Sequence, residues 1–303
     1  MIIDIHTHLG DILYPHGGDL ILKKNVSKKF CIDLVTISEL GSHHTVAGLE
    51  NFIHKQFMSL IVRAQRRRNF IASLENMDKS MRRAGVTYSV CMPIAPYLTF
   101  DDLKKASVKD PRLIPFTSVD FTQPQNIVEA LTKNIENGAK GLKLHPIIQN
   151  EPLDSEKTFN AVEVFSAHHL PVLFHCGVSS YYLGKEKQKE NPQYGQISYA
   201  KTLVDRFPDV NFIAGHAGLF EVDEVIKQLG PYPNVWVDIS FQPPEKVGDL
   251  IFAFGPEKVL YGSDWPFGNM MPAIKIVKNA CRGDQRLEKM IFYENAANLL
   301  GLM

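Results

Sequence analysis

The chain has 303 residues, 45% of them hydrophobic, which is enough for one large α/β domain with a substantial core. Its 33 lysines and arginines balance 33 aspartates and glutamates, which excludes a broad basic surface for nucleic acid. No apolar run approaches the ~20 residues that span a bilayer and no secretory leader is evident, so we expect no membrane partner. Four scattered cysteines without a C-x-x-C pair favour reduced thiols and a cytoplasmic protein.

The first predicted element is a buried strand over residues 2–8, rich in isoleucine and ending in His6-Thr7-His8. Side chains alternate along a strand, so His6 and His8 share one face and lie roughly 6.6–7 Å apart along it. Two neutral imidazoles at that separation can reach one divalent ion. The alternative is that one histidine packs in the core while the other caps the strand.

A long stretch without clear periodicity, residues 11–67, follows this strand. Loops of this length commonly form lids or insertions near a binding site, so we expect an insertion within a single domain of residues 1–303. The insertion is also a candidate for a homodimer contact, and its pair His43-His44 could reach the pocket. The next pattern predicts a helix over residues 70–84, ended by Gly85.

Seven further strands are predicted, mostly separated by helices. The strands cover residues 87–92, 113–119, 141–145, 171–175, 211–216, 235–240 and 258–264, and helices are predicted over 127–137, 154–168, 199–207, from 222 onward, 285–290 and 295–300. Continuous apolar strands such as Val172-Leu173-Phe174 are typical of a parallel sheet covered on both faces. Eight such units predict an α/β fold of the (β/α)8 TIM-barrel type with a long insertion after strand 1; an open doubly wound sheet is the alternative.

Side chains that bind metals or transfer protons stand at the ends of five predicted strands. Carboxyl ends of the strands converge on one face of a barrel, where active sites lie. The residues concerned are His6, His8, His145, His175, His216 and Asp264. A single histidine at a strand end is often structural, but the set together predicts a metal-centred active site.

One arrangement uses His6, His8, His175 and Asp264 as the ligands of a single divalent ion, with a water molecule at the remaining position. Asp264 could then carry a proton during catalysis, and His216 could polarise a carbonyl or act as a general acid or base. Imidazole and carboxylate ligands suit Zn²⁺, with Mn²⁺, Fe²⁺ and Co²⁺ as alternatives.

Several neighbouring residues are candidates for substrate binding. His145 is a candidate substrate contact or additional ligand. Lys143 shares its face one layer deeper, as a substrate contact, a buried ion-pair partner or a carbamate that bridges a second metal. Tyr181 and Trp265 follow strands where βα loops would line a pocket, although loop packing explains them equally well. Cys176 is expected on the face opposite His175, as a packed residue rather than a nucleophile.

The sequence does not assign a single role to three further acidic or hydroxylic residues near the predicted site. Asp4 shares the face of His6 and His8, where it could orient a ligand histidine or serve as a structural polar group. Asp238 and Ser240, at the end of the seventh strand, could face the site, but no pattern assigns them to it.

The chain resembles the amidohydrolase superfamily, in particular the branch that includes aminocarboxymuconate-semialdehyde decarboxylase. The matching segments, in chain order, are Asp4-Ile5-His6-Thr7-His8, Gly141-Leu142-Lys143-Leu144-His145-Pro146, Phe174-His175-Cys176-Gly177, Gly215-His216-Ala217-Gly218, Gly262-Ser263-Asp264-Trp265-Pro266 and the closing segment 295–302. The resemblance implies a barrel with one divalent metal, usually zinc, held by His6, His8, His175 and Asp264, with His216 as the catalytic histidine. It also implies either a hydrolase or a non-oxidative decarboxylase.

Three functions are therefore open, the first two of them acting on a small molecule. The first is metal-dependent hydrolysis of a small amide, lactone or ester, in which Asp264 carries the proton and His216 stabilises the oxyanion. The second is metal-dependent decarboxylation of a small carboxylic acid, in which His216 handles the proton. Because no arginine stands at a strand end to bind a second anionic group, the sequence favours hydrolysis. The third is a non-catalytic metal-binding scaffold, against which the complete ligand set argues.

Overall fold

The computed structural model describes residues 1–27, 33, 35, 36 and 49–302. His43-His44, Cys31 and the rest of residues 28–32, 34 and 37–48 of the predicted insertion lie outside the described residues. The strands are β1 (Ile3–Thr7), β2 (Tyr88–Cys91), β3 (Leu113–Pro115), β4 (Thr117–Ser118), β5 (Leu142–Leu144), β6 (Val172–His175), β7 (Phe212–Gly215), β8 (Val235–Asp238) and β9 (Val259–Leu260).

Helices connect most of these strands and cover the sheet. They are α1 (Leu49–Asn69), α2 (Leu74–Ala84), α3 (Phe100–Lys109), α4 (Ile127–Glu136), α5 (Glu156–Ser166), α6 (Ile197–Arg206), α7 (Val222–Leu229), α8 (Pro244–Phe254), α9 (Met270–Cys281), α10 (Gln285–Lys289) and α11 (Asn295–Leu299). Within the described residues, no helix combines the length and the apolar character needed to cross a bilayer.

All neighbouring strands pair in parallel, in the orders β1-β2-β3 and β4-β5-β6-β7-β8-β9. The strands β3 and β4 are two parts of the third predicted strand, which changes partner at Phe116. The Phe116 N–H donates to the carbonyl of Cys91 on β2 at 3.0 Å, whereas the Thr117 N–H donates to the carbonyl of Gly141 beside β5 at 2.9 Å. The two sheets therefore join edge to edge at this point.

Backbone hydrogen bonds also join the first strand to the segment that follows the last one. The Ile5 N–H donates to the Tyr261 carbonyl at 3.0 Å, and the Asp264 N–H donates to the His6 carbonyl at 2.8 Å. The strands thus follow one another in chain order around a parallel α/β barrel, and the predicted fold class is confirmed.

The structure differs from the sequence prediction in several helices. Helix α2 begins at Leu74 because the Ser73 side chain accepts the Asn76 N–H, so Phe70 lies before it and is 48% exposed; the predicted stop at Gly85 is confirmed, with φ at 71°. The 21-residue helix α1 occupies part of the region without periodicity. Helices α3 and α9 were not predicted, although a capping box at Thr99 marks the start of α3.

Candidate metal centre

The histidines and the aspartate predicted for the site meet at the carboxyl ends of the strands. His6 and His175 lie in β1 and β6, whereas His8, His145, His216 and Asp264 follow β1, β5, β7 and β9, and all six are buried. Ring centroids are 4.6 Å apart for His6 and His216, 5.2 Å for His6 and His8, 5.1 Å for His175 and His216, and 4.2 Å for His145 and His175. His216 and Asp264 both adopt positive φ, 57° and 52°, a strained conformation that clusters at functional sites.

Hydrogen bonds fix which nitrogen of His6 and His8 carries the hydrogen. Nδ1 of His6 lies 2.9 Å from Oδ2 of Asp238, and Nδ1 of His8 lies 2.8 Å from the carbonyl oxygen of Met92. A carbonyl or carboxylate oxygen only accepts, so both imidazoles donate from Nδ1 and present an unprotonated Nε2 to the site. This is the arrangement in which a second partner orients a metal-binding histidine.

Both of these Nε2 atoms face the carboxylate of Asp264. The distances to Asp264 Oδ1 are 3.6 Å from His6 Nε2 and 3.3 Å from His8 Nε2, yet Oδ1 is buried without a hydrogen-bond partner among the described residues. Burial raises the pKa of Asp264 and lowers the pKa of His6 well below its usual range. A divalent cation between these three acceptors would give Asp264 Oδ1 the partner that it lacks, so the donor set fits a metal ion.

A nitrogen of His175 is the second buried atom of the site, after Asp264 Oδ1, without a hydrogen-bond partner among the described residues. Nε2 of His175 lies 3.0 Å from the Gly177 carbonyl and 3.2 Å from the Ser179 hydroxyl, which leaves Nδ1 as a buried acceptor without a partner in the described part of the chain. Burial lowers the pKa of His175 to about 3, so the imidazole is neutral and able to bind a metal.

The ring of His216 contacts a serine–aspartate pair that the sequence left without a role. Nδ1 of His216 lies 2.7 Å from Ser240 Oγ, and the Ser240 hydroxyl bonds to Asp238 Oδ1. Ligand atoms of His6, His216 and Asp264 also lie within 4.8 Å of one another, which brings His216 closer to the ligand cluster than the sequence predicted. The alternation of Asp238 and Ser240 along one strand face was the signal that could have suggested this contact.

Lys143 and Asp4 lie next to the ligands. Lys143 is in register with Leu173, one layer below His175, and its Nζ donates to His6 Nε2 at 2.9 Å. Burial lowers the pKa of Lys143 to about 8. Asp4 accepts from both the backbone and the hydroxyl of Ser263, at 3.0 and 2.6 Å, and therefore holds the segment just before Asp264.

The remaining predicted substrate residues occupy different surroundings. The Tyr181 hydroxyl lies 3.2 Å from His145 Nε2, and its ring contacts both His145 and His175. Trp265 instead donates from its indole nitrogen to Ser80 of α2 at 3.1 Å, a contact that favours the loop-packing alternative. Tyr181 therefore forms a wall of the histidine cluster, whereas the indole of Trp265 is committed to α2.

An arginine from helix α1 also contacts this region. Arg68 is 3% exposed and donates to the Phe267 carbonyl at 2.7 Å, and the Phe267 ring packs edge-on against His8 at 5.8 Å. Arg68 also pairs with Asp33 at 2.9 Å. Arg68 is the last of three consecutive arginines at 66–68, and no local pattern indicates that it is buried.

Comparisons with known proteins agree with this architecture. The amidohydrolase family model matches residues 3–302. An uncharacterized TIM-barrel protein from Bordetella bronchiseptica is 17% identical, with 99% of this chain and 98% of that chain covered at a TM-score of 0.67. No curated protein sequence matches the chain.

Two decarboxylases are among the similar solved structures. A 5-carboxyvanillate decarboxylase from Novosphingobium aromaticivorans, complexed with manganese and 4-hydroxy-3-methoxy-5-nitrobenzoic acid, is 14% identical, with 99% and 96% of the two chains covered at a TM-score of 0.67. A 2,6-dihydroxybenzoate decarboxylase from Rhizobium is 15% identical, with 99% and 98% covered at a TM-score of 0.66. At these identities the likeness establishes the shared barrel.

Proposed function

The chain belongs to the amidohydrolase family, and we propose that it is a metal-dependent decarboxylase of a small hydroxylated aromatic acid. The observation that carries the metal assignment is the set of buried acceptors that face one another, His6 Nε2, His8 Nε2 and Asp264 Oδ1. His175, with its unpartnered Nδ1, completes the proposed ligand set. When bound, the ion supplies positive charge that orients and polarises a substrate oxygen.

The choice of decarboxylation over hydrolysis rests on two observations. Solved structures with the same barrel include decarboxylases of 5-carboxyvanillate and 2,6-dihydroxybenzoate. In addition, His216 contacts the Ser240–Asp238 pair through Nδ1, so its Nε2 carries no hydrogen in the neutral ring. Stabilising an oxyanion, the role that hydrolysis would require of His216, needs a hydrogen on Nε2. Hydrolysis thus stays a prediction with less support than the alternative.

The proposed reaction breaks the bond between the carboxylate carbon and its neighbouring ring carbon. The electron pair stays on the ring carbon, which takes a proton as CO2 leaves. His216 Nε2 accepts that proton from an acidic substrate hydroxyl or a water molecule and returns it to the ring carbon. Ser240 and Asp238, which lie behind Nδ1, stabilise the imidazolium in the interval.

Lys143 and Tyr181 are proposed to bind the substrate. No arginine stands at a predicted strand end to bind a second anionic group of the substrate. Lys143 is proposed to supply that positive charge, because its Nζ lies beside the ligand cluster. Tyr181, which contacts His145 and His175, offers a hydroxyl and an aromatic edge to a ring. We also propose that the insertion contributes to the pocket, because its Asp33 pairs with Arg68, which holds Phe267 beside His8. A homodimer contact through the insertion remains a prediction.

The experiment separates the reactions by their products. Metal-free protein is reloaded with Mn²⁺ or with Zn²⁺ and incubated with ortho-hydroxybenzoates, and separately with lactones, amides and esters. We expect CO2 and the decarboxylated phenol in equal amounts, abolished in His216→Gln. His168→Ala, which changes an exposed histidine outside the site, should keep full activity.

Other outcomes identify the alternatives. Acid products without CO2 would assign the protein to hydrolysis. Protein that retains metal after loading but turns over none of these substrates would fit the non-catalytic metal-binding scaffold.

A further inference from the structure

We propose that Ser240 is a positioning residue that fixes His216 in the tautomer with its hydrogen on Nδ1. The inference rests on the proposed function, in which His216 takes up a proton and therefore needs a free lone pair on Nε2. The assignment follows from the direction of each hydrogen bond around one carboxylate, that of Asp238.

Asp238 is held as an acceptor by two donors whose direction is fixed. The backbone N–H of His216 donates to Oδ2 at 2.9 Å, and the backbone N–H of Ser240 donates to Oδ1 at 3.0 Å. A backbone N–H cannot accept, so both oxygens of the carboxylate face donors. Gly262 leaves room for this crowded carboxylate, since a Cβ there would lie 2.9 Å from Oδ1.

The hydroxyl of Ser240 has one hydrogen, and its contacts determine where it points. Because Asp238 Oδ1 accepts, the hydroxyl donates to it and can only accept from its other neighbour. That neighbour is His216 Nδ1 at 2.7 Å, which must therefore carry a hydrogen. The acceptor role of Asp238 thus determines, through the Ser240 hydroxyl, that His216 carries its hydrogen on Nδ1.

The backbone of His216 is held independently of Ser240. Its N–H donates to Asp238, and its carbonyl accepts from Gln242 Nε2 at 2.6 Å. Loss of the Ser240 hydroxyl should therefore allow the His216 ring to adopt either tautomer without displacing the main chain. Asp238 Oδ2 also bonds Nδ1 of His6, so one carboxylate orients two imidazoles of the site.

The test is a direct reading of the tautomer by nitrogen NMR on histidine-labelled, metal-free protein without substrate. The His216 signals are assigned by their loss in His216→Gln. We expect wild-type His216 to show a protonated Nδ1 and an unprotonated Nε2. In Ser240→Ala we expect a mixture of tautomers or the opposite one, and in Ser240→Thr the wild-type form.

Kinetics of the metal-loaded protein provide the second reading. Ser240→Ala should lower kcat about 10- to 100-fold, as for other outer partners of functional histidines, with less than about a threefold change in KM and unchanged metal content. Ser89→Ala is the matched control, because Ser89 is also a fully buried serine and its hydroxyl has no partner in the described chain. It should leave the tautomer and kcat unchanged.

Two results would overturn the assignment: a hydrogen on Nε2 of His216 in the wild-type protein, or an unchanged tautomer in Ser240→Ala. Neither result depends on finding the substrate. A protein that proves to be a hydrolase but shows the Nδ1–H tautomer would refute the proposed reaction and leave the role of Ser240 intact.

Discussion

Removal of the divalent ion should destabilise the protein, and the two buried acceptors at the site set the size of the effect. His175 Nδ1 and Asp264 Oδ1 both lack a hydrogen-bond partner among the described residues. An unsatisfied buried polar atom costs about 1–3 kcal/mol, so an ion that partners both should stabilise the fold by about 2–6 kcal/mol. Binding at ~100 times the dissociation constant gives about 2.7 kcal/mol, which lies within that range.

This free energy converts to a measurable change in melting temperature. For a chain of this length, 1 kcal/mol moves Tm by about 2 °C, so we expect a rise of roughly 4–12 °C on adding metal. The assay is calorimetry of chelator-treated protein with and without Mn²⁺ or Zn²⁺. Asp264→Asn keeps the shape of the side chain but removes its charge, and should lose most of the rise, whereas His168→Ala should keep all of it.

A wild-type Tm that stays within about 1 °C of the metal-free value in millimolar Mn²⁺ and in millimolar Zn²⁺ would show that the two buried acceptors bind no ion. An equal rise in Asp264→Asn would show that metals bind elsewhere on the chain. Loss of the rise in His168→Ala would likewise locate the binding outside the proposed centre.

Three further substitutions test individual residues. Lys143→Met should raise KM about 10- to 100-fold with the metal retained, because it removes a charged hydrogen-bond donor from the substrate and not a ligand; an unchanged KM would refute its substrate role. Cys176→Ser should keep at least half of the activity, since Sγ donates to the Gly215 carbonyl at 3.3 Å and burial raises its pKa; an inactive but folded variant would revive a nucleophilic role. Ser89→Ala should raise Tm by roughly 2–6 °C in calorimetry because it removes an unpartnered buried hydroxyl, and a lower Tm would contradict this.

The sequence predicted the barrel and the meeting of its histidines because both depend on local pattern. Strand alternation places His6 and His8 on one face, and parallel strands bring their carboxyl ends to one edge. The hydrogen-bond partners of these histidines depend on distant segments. Nothing in the sequence near His8 indicates that the Met92 carbonyl accepts from it, since every residue except proline supplies the same backbone groups.

Other differences arise where tertiary contacts override local signals. Arg68 belongs to a run of three arginines that is typical of a solvated face, yet Phe267 and Asp33 hold it in the interior. Phe70 continues the apolar stripe of α2 in sequence, but the Ser73 cap starts the helix four residues later. The third strand is predicted as continuous because the residue types around Phe116 do not indicate that the neighbouring strand to which it is hydrogen-bonded changes there.

The pairing of β1 with the segment after β9 has a consequence for the order of synthesis. His6 leaves the ribosome more than 250 residues before Asp264 and the backbone that bonds to Ile5. The nascent chain therefore carries His6 and His8 without Asp264 while the intervening residues are synthesised. The pairing of β1 with the segment after β9 closes the barrel through contacts between residues far apart in the sequence. Such contacts are slow to form. We expect truncated chains that stop before β9 to expose the edge of β1 and to depend on chaperones until the final strand arrives.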